Sequence, residues 1–274
     1  MDWSLVLASQ AIEHVIEHTP ESGWALALAE ADHVPALAAI RQYRVENRRW
    51  PWRRTISQTD VVFDWGSAAW VLLTLVFYWL SGIHPELSKA GVMNGAAVAH
   101  GEWWRLFTAI LLHGDLAHLA MNAIFGFILL GLAMGRYSTG RGLLAALLAG
   151  AGGNVASWLV HGDAQLSLGA SGFVMGALGL VVVPSLAWLR AHPNPVKFAL
   201  AGVVGGVMLF ALLGLSPGTD IVAHFGGFVA GLGLGGLLTM ATPLTRAPVS
   251  NLLAGLLFTT LVLWTWLQAL MAGN

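Results

Sequence analysis

The sequence predicts an all-α polytopic membrane protein that carries a small α+β soluble module at its N-terminus. Of its 274 residues, 57% are hydrophobic and only 10% are charged, whereas a soluble domain carries roughly 25% charged residues. Residues 1–60 hold 14 of the 27 charged side chains. A chain this poor in charge cannot cover a water-facing surface, which excludes a soluble globule, a disordered protein and a nucleic-acid binder. The lack of cysteine excludes disulfides, thiolate metal sites and cysteine nucleophiles.

Residues 1–60 are expected to form the module. The apolar run 3–8 and the alternating run 24–29 are each predicted to be a strand, and Asp32 is predicted to cap a helix over 33–47. We expect a binding or regulatory role at most, or a folding or trafficking appendage. The segment at the end of the module is basic and contains tryptophans, which is typical of an anchor beside anionic lipids. Its arginines are Arg48, Arg49, Arg53 and Arg54.

Seven apolar runs approach the length of about 20 residues that a bilayer-spanning helix needs. They cover residues 65–83, 106–134, 143–160, 169–189, 198–215, 221–241 and 252–271. Basic residues precede span one and follow spans two, four and six. The positive-inside rule therefore predicts a cytoplasmic N-terminus and a C-terminus on the opposite side. The loop 82–102 then lies outside, partly in the membrane interface.

Polar residues inside spans are costly in hydrocarbon and are typical of function or of a bundle interior. Ser171 lies between glycines at the start of span four, and His224 lies about one turn into span six. Glycines on both spans permit close approach of the two helices. Such a histidine could take the proton of a serine nucleophile and return it to a leaving amine. Helix packing for Ser171 and a structural role for His224 stay open at this point.

His118 and Asn122 are four residues apart in span two and therefore share a helix face. Both side chains could donate hydrogen bonds to a developing oxyanion, or they could serve interhelical hydrogen bonding. Before the same span, the sequence Glu102-Trp103-Trp104-Arg105 has two interpretations. It is either an aromatic belt at the membrane interface with an arginine that reaches to water, or a brace in the outer loop formed by bonds from arginine to the glutamate or to backbone carbonyls.

These residues together resemble the rhomboid family of intramembrane serine proteases. The motifs that carry the resemblance occur in the family's order: Trp104-Arg105, His118-x-x-x-Asn122, Gly169-x-Ser171-Gly172 and Ala223-His224-x-x-Gly227-x-x-x-Gly231. The match covers about residues 65–241. The family resemblance implies a catalytic Ser171–His224 dyad and an oxyanion site from His118, Asn122 and the Ser171 amide. It also implies that Trp104 and Arg105 belong to a structural outer-loop motif, to which we add Glu102 as the partner of Arg105. Gly169, Gly172, Gly227 and Gly231 are expected to serve helix packing.

We expect an organisation in three parts. The charge distribution indicates that residues 1–60 are the cytoplasmic module with its interfacial basic segment. The resemblance implies that 61–241 are a rhomboid-like six-helix catalytic core and that 242–274 are a linker and an added seventh helix. The family often has an aromatic residue four positions after the serine, stacked on the catalytic imidazole, where this chain has Met175. Phe173 or Phe225 could compensate. Asp220, one turn before His224, could act in a triad-like manner or cap the loop.

The expected partners are transmembrane protein substrates and membrane lipids, with no nucleic acid, no metal and no cofactor. The oligomeric state cannot be read from the sequence. The start of the chain has no transit-like leader, which favours a bacterial inner membrane. The main alternative to a protease is a catalytically silent member that binds and escorts membrane clients.

Overall fold

The computed structural model describes residues 2–19, 23–47, 62–191, 196–197, 200, 204, 219–241 and 248–272. The chain divides into two compact units, Met1–Gln58 and Thr59–Asn274. The basic segment 48–54 lies outside the described residues. The predicted fifth span, 198–215, also lies outside them, apart from positions 200 and 204.

The N-terminal unit is an α+β arrangement of α1 (Asp2–Ser9), β1 (His14–Thr19), β2 (Gly23–Leu28) and α2 (His33–Glu46). The predicted second strand and the predicted helix are confirmed. The predicted strand over 3–8 is wrong, because these residues form α1 and bury Leu7 from one helical face. The partner of β2 is instead β1, which pairs with it antiparallel. Asp32 makes no capping hydrogen bond from its side chain.

The second unit is a bundle of long helices joined by short elements. Before the first motif residues it contains α3 (Ser67–Ile83), α4 (Pro85–Gly91), β3 (Met93–Asn94) and α5 (Gly95–Ala99). It continues with α6 (Arg105–Thr108), α7 (Leu116–Tyr137), α8 (Thr139–His161), β4 (Leu166–Ser167) and α9 (Ser171–Ala191). The last two helices in the described ranges are α10 (Ile221–Met240) and α11 (Pro248–Ala272).

The chain is a multi-pass membrane protein. Within the described ranges, four helices are long and apolar enough to cross a bilayer, at Leu116–Tyr137, Thr139–Ala164, Ile221–Met240 and Pro248–Ala272. A fifth results if α3 and α4, bent by 115° at their junction, count as one span, and the part of α9 at Ser171–Ser185 is a shorter apolar stretch. The predicted helical membrane bundle is confirmed, and the count of seven spans stays a prediction.

The second span begins later than the sequence predicts. Residues 106–112 are apolar apart from Thr108, but they lie in α6 and in a 3₁₀ turn (Ala109–Leu111) that ends at Leu112, rather than at the start of α7. Ile110, Leu111 and Leu112 are buried against protein. Their hydrophobicity therefore reflects packing inside the bundle, and hydropathy does not distinguish this from contact with lipid.

Glycines bring α8, α9 and α10 into close contact. A Cβ at Gly227 would overlap the carbonyl oxygen of Gly172, and one at Gly231 would overlap that of Gly176. A Cβ at Gly153 of α8 would likewise overlap the carbonyl oxygen of Ala223. Helices can approach this closely only where side chains are absent. The start of α9 and the first turns of α10 are therefore neighbours.

The last helix, α11, packs on α8 and on the short helices that follow α3. The Asn251 side chain accepts a hydrogen bond of 2.8 Å from the amide of Gly140. At the other end of α11, the ring centroids of Trp266 and Phe77 lie 4.8 Å apart. A Cβ at Gly91 would lie 2.7 Å from Cη2 of Trp266. The added helix is thus integral to the unit.

Candidate active site

A cavity of about 580 Å³ lies at the end of the bundle where α9 begins. Its walls come from the starts of α7, α9 and α10 and from residues 166–169. Ser171, His224, His118 and Asn122 all line it. The structure therefore brings the four polar residues singled out in three separate spans to one cavity.

Ser171 is the first residue of α9. Gly169, two residues earlier, has a φ of +129°, which L side chains rarely adopt, and its amide donates a 2.9 Å hydrogen bond to the Ala109 carbonyl. This anchored turn fixes where the helix starts. The first amides of a helix have no intrahelical partner, so Ser171 lies beside free N–H donors.

His224 is almost completely buried, with 1% of its surface exposed. Among the described residues, neither of its ring nitrogens has a hydrogen-bond partner, and no hydrogen bond joins it to Ser171. Buried polar groups are normally paired. Two unpaired ring nitrogens beside a cavity are thus a site where a ligand can complete the hydrogen bonding. Catalytic hydrogen bonds are often long until substrate binds.

The position four residues after Ser171 holds Met175, which is buried and lines the cavity with His224. Neither phenylalanine suggested as compensation lines it. Phe173 stacks on Trp70, with ring centroids 4.8 Å apart and planes 4° apart, and Phe225 is 61% exposed. Of the three residues, Met175 alone contributes to the cavity wall.

His118 and Asn122 lie in the first two turns of α7. Asp115 caps this helix by accepting a 2.8 Å hydrogen bond from the His118 amide. A Cβ at Gly169 would lie 2.5 Å from Cε1 of His118, so the turn before Ser171 contacts the imidazole directly. Asn122 is buried, and its side-chain nitrogen has no partner among the described residues. It is therefore a free donor at the cavity.

Asp220 is the N-cap of α10 and lines the same cavity. Its Oδ1 accepts from the Ala223 amide at 2.9 Å, and its Oδ2 accepts from Ser157 Oγ and Gln165 Nε2, both at 2.6 Å. Sequence reasoning missed Ser157 and Gln165. The signal for Ser157 was a polar residue inside the predicted third span, whereas nothing singled out Gln165.

The segment before α7 holds a hydrogen-bonded brace. Arg105 donates from Nε to Glu102 at 2.6 Å, and from Nη1 to the carbonyls of Lys89 and Val92 at 2.9 and 2.8 Å. Trp104 packs against the cluster around Leu111, Leu112 and Trp266. The brace ties α6 to α4 and to Val92, which directly precedes β3 and itself lines the cavity.

The four glycines expected at helix contacts divide into two groups. Gly227 and Gly231 of α10 lie directly against α9, and a Cβ at Gly172 would lie 3.4 Å from the carbonyl oxygen of Ala223. Gly169 lies before α9 rather than on a helix face, and it contacts His118.

The arrangement combines a hydroxyl, an imidazole and hydrogen-bond donors around one cavity. An imidazole can accept the proton of a hydroxyl, and amide and imidazole N–H groups can stabilise an oxyanion. These are the components of acyl transfer through a covalent intermediate.

Comparison with known proteins adds to this geometry. A family model described as the Rhomboid domain matches residues 100–241, just over half of the chain. RHOMBOID-like protein 5 of Arabidopsis thaliana is 33% identical over 169 residues, covering 57% of this chain and 50% of that protein. Rhomboid protease GluP of Bacillus subtilis (strain 168) is 33% identical over 147 residues, covering 52% and 27%.

A third relative, Rhomboid-type serine protease 2 of Emericella nidulans, is 33% identical over 146 residues. The alignment covers 53% of this chain and 28% of that protein. The chain thus spans between about a quarter and a half of the length of these three relatives. Two of the three are named as proteases.

Proposed function

The chain belongs to the rhomboid family, and from this we propose that it is an intramembrane serine endopeptidase that hydrolyses peptide bonds in or near transmembrane segments of membrane proteins. The names of two relatives support protease activity. The observation that carries the proposal is the shared cavity, because a serine, a histidine and two further polar side chains from three helices line it and could serve as nucleophile, base and oxyanion donors.

In the proposed reaction, Ser171 Oγ attacks the scissile carbonyl while His224 takes the hydroxyl proton. The resulting oxyanion accepts hydrogen bonds from His118, Asn122 and the Ser171 amide. His224 then gives its proton to the leaving amine, which breaks the peptide bond and leaves an acyl-enzyme. Water attacks the ester, His224 takes a proton from it, and the acid product leaves as the proton returns to Ser171.

The helical structure of a transmembrane substrate limits where it can be cleaved. A transmembrane helix hides its carbonyls in its own hydrogen bonds, so the substrate must unwind near the cut before Ser171 can reach a carbonyl. Helix-breaking residues near the scissile bond should therefore favour cleavage.

The proposal includes a location in the cell inner membrane. The N-terminus would lie in the cytoplasm and the C-terminus on the opposite side, because the positive-inside rule assigns both the N-terminal arginines and Arg136 and Arg141, which follow α7, to the cytoplasmic side.

Cleavage of a labelled transmembrane substrate by the purified full chain tests the proposal. Ser171→Ala and His224→Ala should each abolish cleavage. Two matched controls should keep it: Ser185→Ala, an exposed serine with a local bond to the Val181 carbonyl, and His84→Ala, an exposed histidine paired with Glu86. Cleavage that survives both active-site changes defeats the assignment of these residues.

One observation favours the alternative, a catalytically silent chain that escorts membrane clients. His224 and Ser171 are not hydrogen-bonded to each other in the described structure. A fluorophosphonate probe separates the two functions, because it reacts only with an activated serine. A protease should be labelled at Ser171, and His224→Ala should remove the label. An escort protein should not be labelled even in the wild type.

A further inference from the structure

The carboxylate of Asp220 joins three parts of the bundle. It caps α10 through the Ala223 amide, and it accepts from Ser157 near the end of α8 and from Gln165 in the segment before β4. Hydrogen bonds to a charged acceptor are stronger than neutral ones. One side chain thus fixes the start of α10 against two other elements.

Each of these connections leads to a proposed catalytic residue. On one side, the Asp220 carbonyl accepts a 3.1 Å hydrogen bond from the His224 amide. On the other, Gln165 is held by a 2.8 Å bond from the Gly95 amide to its carbonyl and donates to Ser167 at 2.9 Å. Only three residues separate Ser167 from Ser171. The Asp220 carboxylate therefore lies between the backbone of the base and the segment that leads to the nucleophile.

This geometry differs from that of a triad. In a triad the carboxylate accepts a hydrogen bond from the imidazole Nδ1–H. Here both carboxylate oxygens bind other donors, and neither ring nitrogen of His224 has a partner among the described residues. Contact between Asp220 and His224 runs through the backbone.

We propose that Asp220 is a positioning residue. Its bonds to Ser157 and Gln165 hold the first turn of α10 in place, and this turn fixes the position of the His224 imidazole relative to Ser171. The inference rests on the proposed function. A shift of 1 Å at a catalytic group can lower a rate by roughly 100-fold. Loss of the carboxylate should therefore lower kcat and leave KM almost unchanged, since substrate contacts stay in place.

Asparagine distinguishes positioning from a triad role. Its amide oxygen can still accept from the Ala223 amide. The Ser157 hydroxyl can rotate, and the Gln165 amide can flip, so that each accepts one hydrogen from the asparagine nitrogen. Positioning therefore predicts that Asp220→Asn keeps kcat within about 10-fold of wild type while Asp220→Ala loses roughly 100-fold. A triad role predicts that Asp220→Asn is nearly inactive, with a loss of about 10⁴.

The experiment measures kcat, KM and the pH profile of substrate cleavage for full-length wild type, Asp220→Asn, Asp220→Ala, Ser157→Ala and Gln165→Ala. The last two should lower kcat by smaller factors and combine non-additively with Asp220→Ala. The controls are Asp163→Asn, which removes an exposed charge just after α8, and Ser185→Ala. Both should match wild type.

Hydrogen exchange gives a readout that does not need activity. The amides of Ala223 and His224 should exchange faster in Asp220→Ala and should be unchanged in Ser171→Ala. Any one of three results would overturn the inference. These are a wild-type cleavage rate in Asp220→Ala, unchanged amide exchange in that variant, or an Asp220→Asn variant as inactive as Asp220→Ala. A wild type that cleaves nothing defeats the proposed function instead, and exchange then still decides whether Asp220 holds this turn.

Discussion

Gly227 of α10 lies so close to the carbonyl of Gly172 of α9 that no side chain fits between the two helices. Gly172 directly follows Ser171, and Gly227 lies three residues after His224. The separation between the two proposed catalytic residues is therefore set by backbone contact, which is stiffer than contact between flexible side chains.

Gly227→Ala should move α10 away from α9. The added methyl meets backbone, which cannot rotate aside, and overpacking of this kind costs about 1–3 kcal/mol of stability. We expect a lower melting temperature and a cleavage rate reduced by roughly 10-fold or more. Gly233→Ala on the same helix is the control, because a Cβ there meets nothing within 4 Å. Equal behaviour of the two variants would contradict the role of this contact.

Gly169→Ala tests whether the turn before Ser171 holds His118. Gly169 combines a φ of +129° with close contact to the imidazole, whereas Gly101 has a φ of +102° and nothing within 4 Å. Alanine at either position strains the backbone, at a cost of about 1–3 kcal/mol. Only Gly169→Ala should also displace His118 and lower kcat, by roughly 10-fold or more. A matching loss in Gly101→Ala would show that backbone strain alone is responsible.

Local sequence patterns specify only part of this structure. Local periodicity puts residues that are one turn apart on the same helix face, as with His118 and Asn122 or with Gly227 and Gly231. The glycines also indicate which helices meet. The Ser157–Asp220 bond spans 63 positions, and no local pattern specifies such a pair. Hydropathy also misplaced the start of α7, since it reports apolar surroundings without distinguishing lipid from protein. The short run 3–8 fits either a strand or a helix, and packing of Leu7 decides between them.

Asn122→Ala should lower turnover by about 10²–10³-fold, the range measured when one oxyanion donor is removed elsewhere. The buried, unpaired amide of Asn122 would contribute mainly when charge develops on the carbonyl oxygen, so KM should change little. Steady-state kinetics with the labelled substrate measures both. Asn251→Ala is the control, because it removes the bond to Gly140 at the start of α8, about 21 Å along that helix from Asn154, which lines the cavity. It should affect stability while leaving kcat intact. An unchanged turnover in Asn122→Ala would refute the oxyanion assignment.

Trp266→Ala tests whether the last helix supports the segment that carries the Arg105 brace. Trp266 is 6% exposed and contacts Phe77 and Gly91, whereas Trp264 on the same helix is 50% exposed. Removing a buried tryptophan side chain costs about 3–5 kcal/mol. In Trp266→Ala the side chain would leave a void beneath α4, separate from the active-site cavity. We expect a lower melting temperature and faster limited proteolysis between α3 and α6, with little change in Trp264→Ala. Proteolysis as slow as in wild type would mean that the brace holds this segment without help from α11.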